Sequence, residues 1–329
     1  MKIRFLTLGD EYESASRYRG FLIARKLSKF GLTTEITPIG KKYARNIIYE
    51  FFRLFSIRKQ IIYNQRIVHP IIRFLVRLHR LRGDKIIFDF DDAIFLLENK
   101  NTRKMIRLSN IIIAGNKYLA DYAVNYNEFV HIIPTSIDLD TIGDSAKNYL
   151  VENRRLVIGW IGSKSTLKYL EEVREILDEL SKKYNLELRI IGPENSIVQL
   201  TKFKNIPIKV IPWKLETECK ELSKIDVGIM PLPDNEWTKG KCGLKLLQYM
   251  ALEIPAVGSN VGANKEVIIN EQTGFLPKNK KEWDKYLELL INDKQLRMKL
   301  GKAGRKKVEG DYSLEKNAKK VAEMIVSLE

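Results

Sequence analysis

Apolar runs of about four to six residues recur along the chain, separated by longer stretches whose apolar residues return at helical spacing. In the first half, strands are expected at Ile3–Leu6, Thr34–Thr37, Gln60–Tyr63, Lys85–Phe90, Asn110–Ala114 and Phe129–Pro134. The pattern restarts at Leu156–Ile161 and continues at Leu186–Ile191, Ile208–Ile211, Val227–Met230 and Pro255–Val257. Arg19–Phe30 reads as a helix that stops at Gly31, and Leu314–Leu328 reads as an amphipathic closing helix. Strands that alternate with helices in this way imply parallel sheets covered by helices on both faces. Asp138–Arg155 is polar, lacks sustained periodicity and is the natural linker. A chain of 329 residues exceeds the size at which single cores stop growing, so two domains are expected, residues 1–150 and 151–312, followed by the segment 313–329.

The most informative stretch runs from Lys239 to Gly262. Gly240 and Gly243 allow a tight turn and close approach to a ligand, while Leu244, Leu247 and Ala251 mark the buried face of the helix that follows. The first amides of such a helix, at Gly243 and Leu244, have no internal partner and carry the positive end of its dipole. Lys241 and Lys245 add full charges beside them, which together suit a diphosphate. An ordinary helix-turn-strand unit shares the apolar pattern. After the strand ending at Ile161, Gly162-Ser163-Lys164-Ser165-Thr166 offers small residues, hydroxyls and a cation at a helix start, which suits either phosphate binding or plain helix capping. Trp237, in the loop after Met230, packs against either a base or sugar or a domain interface.

The run PLPDNEWTKGKCGLKLLQYMA from Pro231, with IPAV and VGANKEVI behind it, GWIGSKSTLKYL from Gly159, DVGIMPL from Asp226 and FDFDDAIF from Phe88, resembles the family-four retaining glycosyltransferases of group 1 type. The resemblance implies the GT-B fold: α/β, two Rossmann-like doubly wound parallel-sheet domains facing a cleft. It further implies an N-terminal acceptor-side domain, a C-terminal nucleotide-sugar-binding domain, and a C-terminal helix that packs back on the first. Phosphate contacts fall just after the strand at Ile161, on Lys164 or Lys168. The family's pair of glutamates separated by seven intervening residues is replaced here by Gly240 and Gln248. Gln248 still accepts a hydrogen bond from a ribose hydroxyl, whereas the first carboxylate is missing, with Asp234 or Glu236 as candidate substitutes.

Charge and composition refine this picture. The excess of Lys and Arg over Asp and Glu in residues 1–150 lies wholly in Lys41–Lys85, where twelve basic residues meet two acidic ones. Arg73, Arg77 and Arg80 interleave there with Ile72, Leu75, Val76 and Leu78, a pattern that suits an anionic membrane surface or a merely solvated helix face. No zinc-finger, aromatic RNA-binding or basic-zipper signature accompanies the net charge of +16, so nucleic acid is not an expected partner. Cys219 and Cys242 are too few and too separated for a disulfide framework, which points to a reducing compartment. Met1–Gly9 reads as a strand rather than a signal peptide, and no apolar run is long enough to span a bilayer. A cytoplasmic protein, peripheral on the inner face of the membrane, is expected.

Two first-domain constellations carry candidate chemistry. Asp89, Asp91 and Asp92 follow an apolar strand; alternation places Asp89 and Asp91 on one face, and either substrate orientation or loop capping fits them. Arg17 and Arg19 stand at a helix start, where cations oppose the dipole, so an anionic partner is expected; they are alternatively plain surface arginines. Arg66 is placed near the same edge. His69, His79 and His131 lack metal or triad spacing. The expected activity is retaining transfer of a sugar from a nucleoside-diphosphate sugar to a lipid-linked or cell-envelope glycan, without a metal or other cofactor. Asp91, Asp92 and Lys241 are the catalytic candidates. Gly162, Ser163, Lys164, Lys168, Gly243, Leu244, Lys245 and Gln248 hold the donor, and Arg17, Arg19 and Arg66 the acceptor side. The alternatives are a non-catalytic nucleotide-sugar-binding scaffold and an epimerase of the same fold.

Overall fold

The computed structural model describes residues 2–40, 45–48, 59–142, 155–192 and 202–328. Its strands are β1 (Lys2–Thr7), β2 (Thr33–Pro38), β3 (Gln60–Gln65), β4 (Lys85–Phe90), β5 (Ile111–Ala114), β6 (Val130–Ile132), β7 (Leu156–Ile161), β8 (Leu186–Gly192), β9 (Ile208–Pro212), β10 (Val227–Met230) and β11 (Ala256–Gly258). The longer helices are α1 (Leu22–Lys29), α2 (Pro70–Leu81), α3 (Asn99–Leu108), α4 (Lys117–Ala123), α5 (Arg174–Lys183), α6 (Leu244–Ala251), α7 (Lys280–Asn292), α8 (Lys294–Asp311) and α9 (Leu314–Val326). Every strand expected from the apolar runs forms. Strands of a parallel sheet are covered on both faces, so they read as continuous apolar stretches.

The chain divides into two compact units. One comprises Met1–Asp138, Lys239–Cys242 and Ser313–Glu329; the other comprises Leu139–Thr238 and Gly243–Tyr312. The tetrapeptide Lys239–Cys242, which the sequence places among second-domain residues, thus belongs by its contacts to the first unit.

The first unit is built on a six-stranded sheet of order β2-β1-β3-β4-β5-β6 in which all neighbours are parallel. The strand order reverses between β1 and β3, and in such sheets ligands bind outside the carboxyl ends of the strands near that reversal. The expected helix at Arg19 opens earlier, at Ser14–Ser16, and passes through a π-helical turn over Arg17–Phe21 into α1. Gly20 of this turn lies so close to β1 that an added Cβ would sit 2.5 Å from the Thr7 methyl. On one face of the sheet, Ile3, Phe5, Leu27, Tyr63 and Ile87 form a core with Leu314, Val321 and Ile325 of α9. The Leu314 amide donates to Ile137 O at 2.9 Å, and Asn317 Nδ2 donates to Ser136 Oγ at 2.9 Å, fixing where α9 begins.

The second unit carries a five-stranded parallel sheet of order β11-β10-β7-β8-β9, which reverses between β7 and β10. Trp160, Leu177, Leu188, Ile229, Trp283 and Leu287 belong to its core, with α5 and α7 as covering helices. Asn279 and Asp293 cap α7 and α8 by accepting from the amides of Glu282 and Leu296.

Ile325 is 1% exposed, so truncating it opens a cavity in the first unit's core. Ile325→Ala is expected to lower stability by about 2–4 kcal/mol in urea unfolding; a loss below about 1 kcal/mol would show that α9 is not integral to this core.

Candidate functional site

In the second unit the candidate donor residues gather at the sheet reversal. β10 pairs with β7 only at Val227↔Ile158 and Gly228↔Gly159, although both strands run on beyond those pairs. The Ile161 amide instead donates to Tyr249 Oη at 3.1 Å, and that hydroxyl donates to Ile229 O at 3.3 Å. Tyr249 belongs to α6, so one side chain ties this helix to the two parted strands. Burial pushes its hydroxyl pKa up, so it stays protonated and able to donate. Its ring occupies the space left by Gly228, where a Cβ would lie 2.3 Å from the ring.

The loop after β7 carries Gly162 and Ser163, Gly243 precedes α6, and Lys245 lies in the first turn of α6. Gly243 precedes α6 with φ of 69°, a left-handed conformation that glycine adopts without strain. The Lys245 ammonium lies 5.2 Å from the centre of the Trp160 ring, and its stem crosses Gly162 so closely that a Cβ there would meet Lys245 Cε at 2.8 Å. Lys245 and the loop after β7 are therefore neighbours. Ser163 and Lys164 are exposed at the start of a short helix, Lys164–Leu167. The Ser163 side chain makes no capping bond and instead meets Ser165 Oγ at 3.0 Å, which removes plain helix capping as its role here. Lys168 turns over the Tyr169 ring, with Nζ 5.5 Å from its centre, one turn further along. Gln248 is buried on α6 beside Tyr249 in sequence. The loop after β11 closes the arrangement: Ser259 Oγ accepts from the Leu232 amide at 2.8 Å, and Asn264 Nδ2 donates to Ser259 O at 3.0 Å.

The first unit gathers a second set at the carboxyl edge of its sheet. Arg66 follows β3 with φ of 61°, and its amide donates to Asp89 O at 2.7 Å. Its guanidinium donates to Asp92 at 2.6 Å, to Asp91 at 3.4 Å and to Glu13 at 3.5 Å. Lys241 donates to the other oxygen of Asp92 at 2.7 Å. Asp91, Asp92, Arg66 and Lys241 thus come together as the sequence grouped them in part, although Lys241 gives its charge to Asp92. Burial and the adjacent Asp91 charge raise the Asp92 pKa, against Lys241 and Arg66. Burial opposes the charge on Arg66, yet Asp91, Asp92 and Glu13 outweigh it and raise its pKa.

The tetrapeptide is held from below as well. Asn116 Nδ2 donates to Lys239 O at 3.3 Å and to Lys241 O at 3.1 Å, while the Cys242 thiol donates to Asp91 O at 3.3 Å. Burial pushes the Cys242 thiol pKa well up, which makes it a packed neutral group rather than a nucleophile. At Gly240 a Cβ would lie 2.7 Å from both the backbone nitrogen and the Cβ of Ala93. A glutamate therefore has no room at the position where the resembled family carries one. Asp234 and Glu236 are exposed residues of the other unit, whereas Asp91 and Asp92 are the carboxylates beside Gly240's own segment.

Arg19 does not serve an external anion. It is fully buried and forms a paired contact with Asp89, Nε to Oδ1 at 3.0 Å and Nη2 to Oδ2 at 2.7 Å, and also donates to Ile133 O at 2.6 Å. Tyr63 donates to the same carboxylate at 2.5 Å. The expected anionic partner exists, but it is the protein's own Asp89, whose pKa burial raises against these donors. Asp89 is thereby separated from Asp91 and Asp92, with which the strand pattern grouped it. Arg17 is 5% exposed and stacks over Tyr18 at 4.8 Å, so it too lies inside rather than at the surface. Among the described residues, no group of three or more His, Cys, Asp or Glu is arranged to hold a metal ion.

With this geometry in view, comparison with known proteins identifies the class. The family model of glycosyl transferases group 1 matches residues 143–307, just over half of the sequence, and the chain belongs to that family. Among curated proteins, the capsular polysaccharide biosynthesis glycosyltransferase CapM of Staphylococcus aureus is 29% identical over 178 residues, 51% of this chain and 45% of that protein. N-acetyl-alpha-D-glucosaminyl L-malate synthase of Bacillus anthracis is 26% identical over 176 residues, 52% of this chain and 45% of that protein. The matched stretch thus spans less than half the length of either relative. Among solved structures, sucrose-phosphate synthase from Thermosynechococcus elongatus superposes with a TM-score of 0.77 at 12% identity, covering 100% of this chain and 99% of that one. Anabaena HepE in complex with UDP-glucose gives a TM-score of 0.72 at 14% identity, covering 99% and 100%. These structures establish the fold, two Rossmann-like parallel-sheet domains of the GT-B class.

Removing the Arg19 side chain leaves Asp89 buried without its counter-ion. Arg19→Met is expected to cost about 3–5 kcal/mol in equilibrium unfolding; a cost under about 1 kcal/mol would contradict the internal role assigned to it.

Proposed function

We propose that the protein is a retaining glycosyltransferase that moves a sugar from a nucleoside-diphosphate sugar to a cell-envelope or lipid-linked glycan. The observation that carries this reading is the parting of β7 and β10 at the sheet reversal, with Lys245 lying across Gly162 at the same edge. Family membership and the named activities of the relatives agree with it. HepE, which shares the fold, is described with UDP-glucose bound.

In this reading the second unit takes the donor. The amides at the start of α6, Lys245, Ser163 and Lys164 oppose the negative charge that grows on the departing diphosphate, which lowers the barrier without a protein nucleophile. Gln248 accepts from a ribose hydroxyl. The acceptor hydroxyl attacks from the leaving-group side and gives its proton to a donor phosphate oxygen. Asp91, Asp92, Arg66 and Lys241 of the first unit are assigned to the acceptor, whose hydroxyls their charges can hydrogen-bond. The scheme needs no metal or other cofactor. The absence of a carboxylate at Gly240 supports a second reading, a protein that binds the donor without turning it over.

An anionic bilayer is the proposed resting place of the first unit. On α2, Ile72, Leu75, Val76 and His79 are buried. That leaves Ile71, Phe74 and Leu81 exposed at 45%, 57% and 74%, with Arg77 and Arg80 exposed on the same helix. Exposed apolar and basic side chains on one helix suit a lipid headgroup layer. Residues 41–44 and 49–58 of the basic segment lie outside the described residues. No described helix is long and apolar enough to cross a membrane.

Incubation with labelled nucleotide sugars and membrane-derived acceptors should transfer label. Binding without transfer or hydrolysis would establish the silent-binder reading instead. Lys245→Ala is expected to weaken UDP binding by roughly ten- to a hundredfold, as for loss of a charged hydrogen bond, in calorimetric titration; an unchanged affinity would remove Lys245 from the site. In cosedimentation, vesicles rich in phosphatidylglycerol should capture the protein and neutral vesicles should not. Phe74→Ser with Leu81→Ser should reduce that capture severalfold, and equal capture of wild type and variant would exclude α2 as the docking face.

A further inference from the structure

The position of the Tyr249 hydroxyl has a consequence for how the second unit accepts a ligand. Along β7 the amides of Val157 and Ile161 face β10, whereas those of Leu156 and Gly162 face β8, where they reach Asn185 O and Ile191 O at 3.0 Å each. Ile161 N–H would therefore form the next rung of the β7–β10 ladder, and Ile229 O is a carbonyl turned toward β7. No such rung forms. The Tyr249 hydroxyl stands between the two groups, accepting from one and donating to the other. One oxygen atom replaces a direct amide-to-carbonyl bond, so the strands are held apart by an inserted side chain while neither backbone group is left unsatisfied. The substitution is fitted from both sides: the ring has no space unless residue 228 is glycine, and Tyr249 itself is fully buried.

Resting on the nucleotide-sugar reading above, we infer that Tyr249 is a positioning residue, a spacer that sets the width of the crevice at the β7–β10 reversal. It also fixes the register of α6, which carries Lys245, against the strand that leads into Gly162. Its hydroxyl does not touch the ligand. Without it, β10 closes onto β7 by direct pairing of Ile161 N–H with Ile229 O, the crevice narrows, and Lys245 shifts relative to Gly162. The role is therefore expected in binding of the diphosphate-bearing ligand, not in the chemical step.

The test is Tyr249→Phe in the full chain, which keeps the ring in the Gly228 space and removes only the bridging oxygen. UDP, GDP and ADP are titrated into wild type and variant by calorimetry, and KM and kcat are measured for the nucleotide sugar that wild type turns over. The variant is expected to bind the preferred diphosphate about tenfold more weakly and to raise KM by a similar factor, with kcat within about twofold. Its crystal structure should show the direct Ile161–Ile229 hydrogen bond. Gly228→Ala, which crowds the ring from the strand side, should weaken the same diphosphate and serves as the test if Tyr249→Phe does not fold. Unchanged diphosphate affinity in a folded variant, even with a lowered melting temperature, would reduce Tyr249 to a packing residue and overturn the inference alone. Failure of wild type to bind any of the three diphosphates would overturn the donor-site reading and this inference with it.

Discussion

A parallel sheet offers a ligand room only where neighbouring strands part, and everything proposed for the second unit depends on how β7 and β10 do so. Elsewhere in that sheet the ladder satisfies the backbone and closes the surface. At the reversal of strand order the connections leave in opposite directions, and the loops after β7 and β10 open away from each other. An opening of this kind would normally strand amide and carbonyl groups. Here a buried tyrosine hydroxyl satisfies one of each. The same contact seats α6, so the helix start, Lys245 and the glycine loop after β7 share one mechanical support.

The first unit solves a different problem, the holding of several charges close together at a sheet edge. Asp89 is neutralised inside by Arg19 and Tyr63, which keeps the end of β4 rigid beneath Asp91 and Asp92. Those two carboxylates share Arg66, and Asp92 also holds Lys241. The arrangement leaves no space for a side chain at Gly240, because the segment carrying it lies against Ala93. Gly240 therefore has no room for the family's glutamate, and Asp91 and Asp92 are the acidic residues that touch the following Lys241 and Cys242.

The strands were legible in the sequence because parallel strands are apolar on both faces, and Ile86-Ile87-Phe88 or Val227–Met230 admit few other readings. The glycine before α6 was legible for a similar reason, since φ of 69° at residue 243 demands it. What sequence reasoning missed depends on contacts between distant positions. Arg19 and Asp89 are seventy residues apart, so the sequence pattern pointed Arg19 toward an external anion when its partner is the protein's own carboxylate. The allegiance of Lys239–Cys242 to the first unit rests on Asn116, Asp91 and Asp92, all more than a hundred residues upstream. Gly228 and Tyr249 carried a signal that went unread: a glycine inside a strand marks a close approach, and the bulky aromatic it admits was twenty-one residues downstream.

The central claim is that the second unit's sheet reversal receives the diphosphate of a nucleotide sugar. Hydrogen–deuterium exchange of the intact chain, with and without saturating UDP, tests it most directly. The account predicts slowed exchange confined chiefly to peptides covering 161–168 and 243–251. Saturation with no change in those peptides, or with protection concentrated elsewhere, would contradict it.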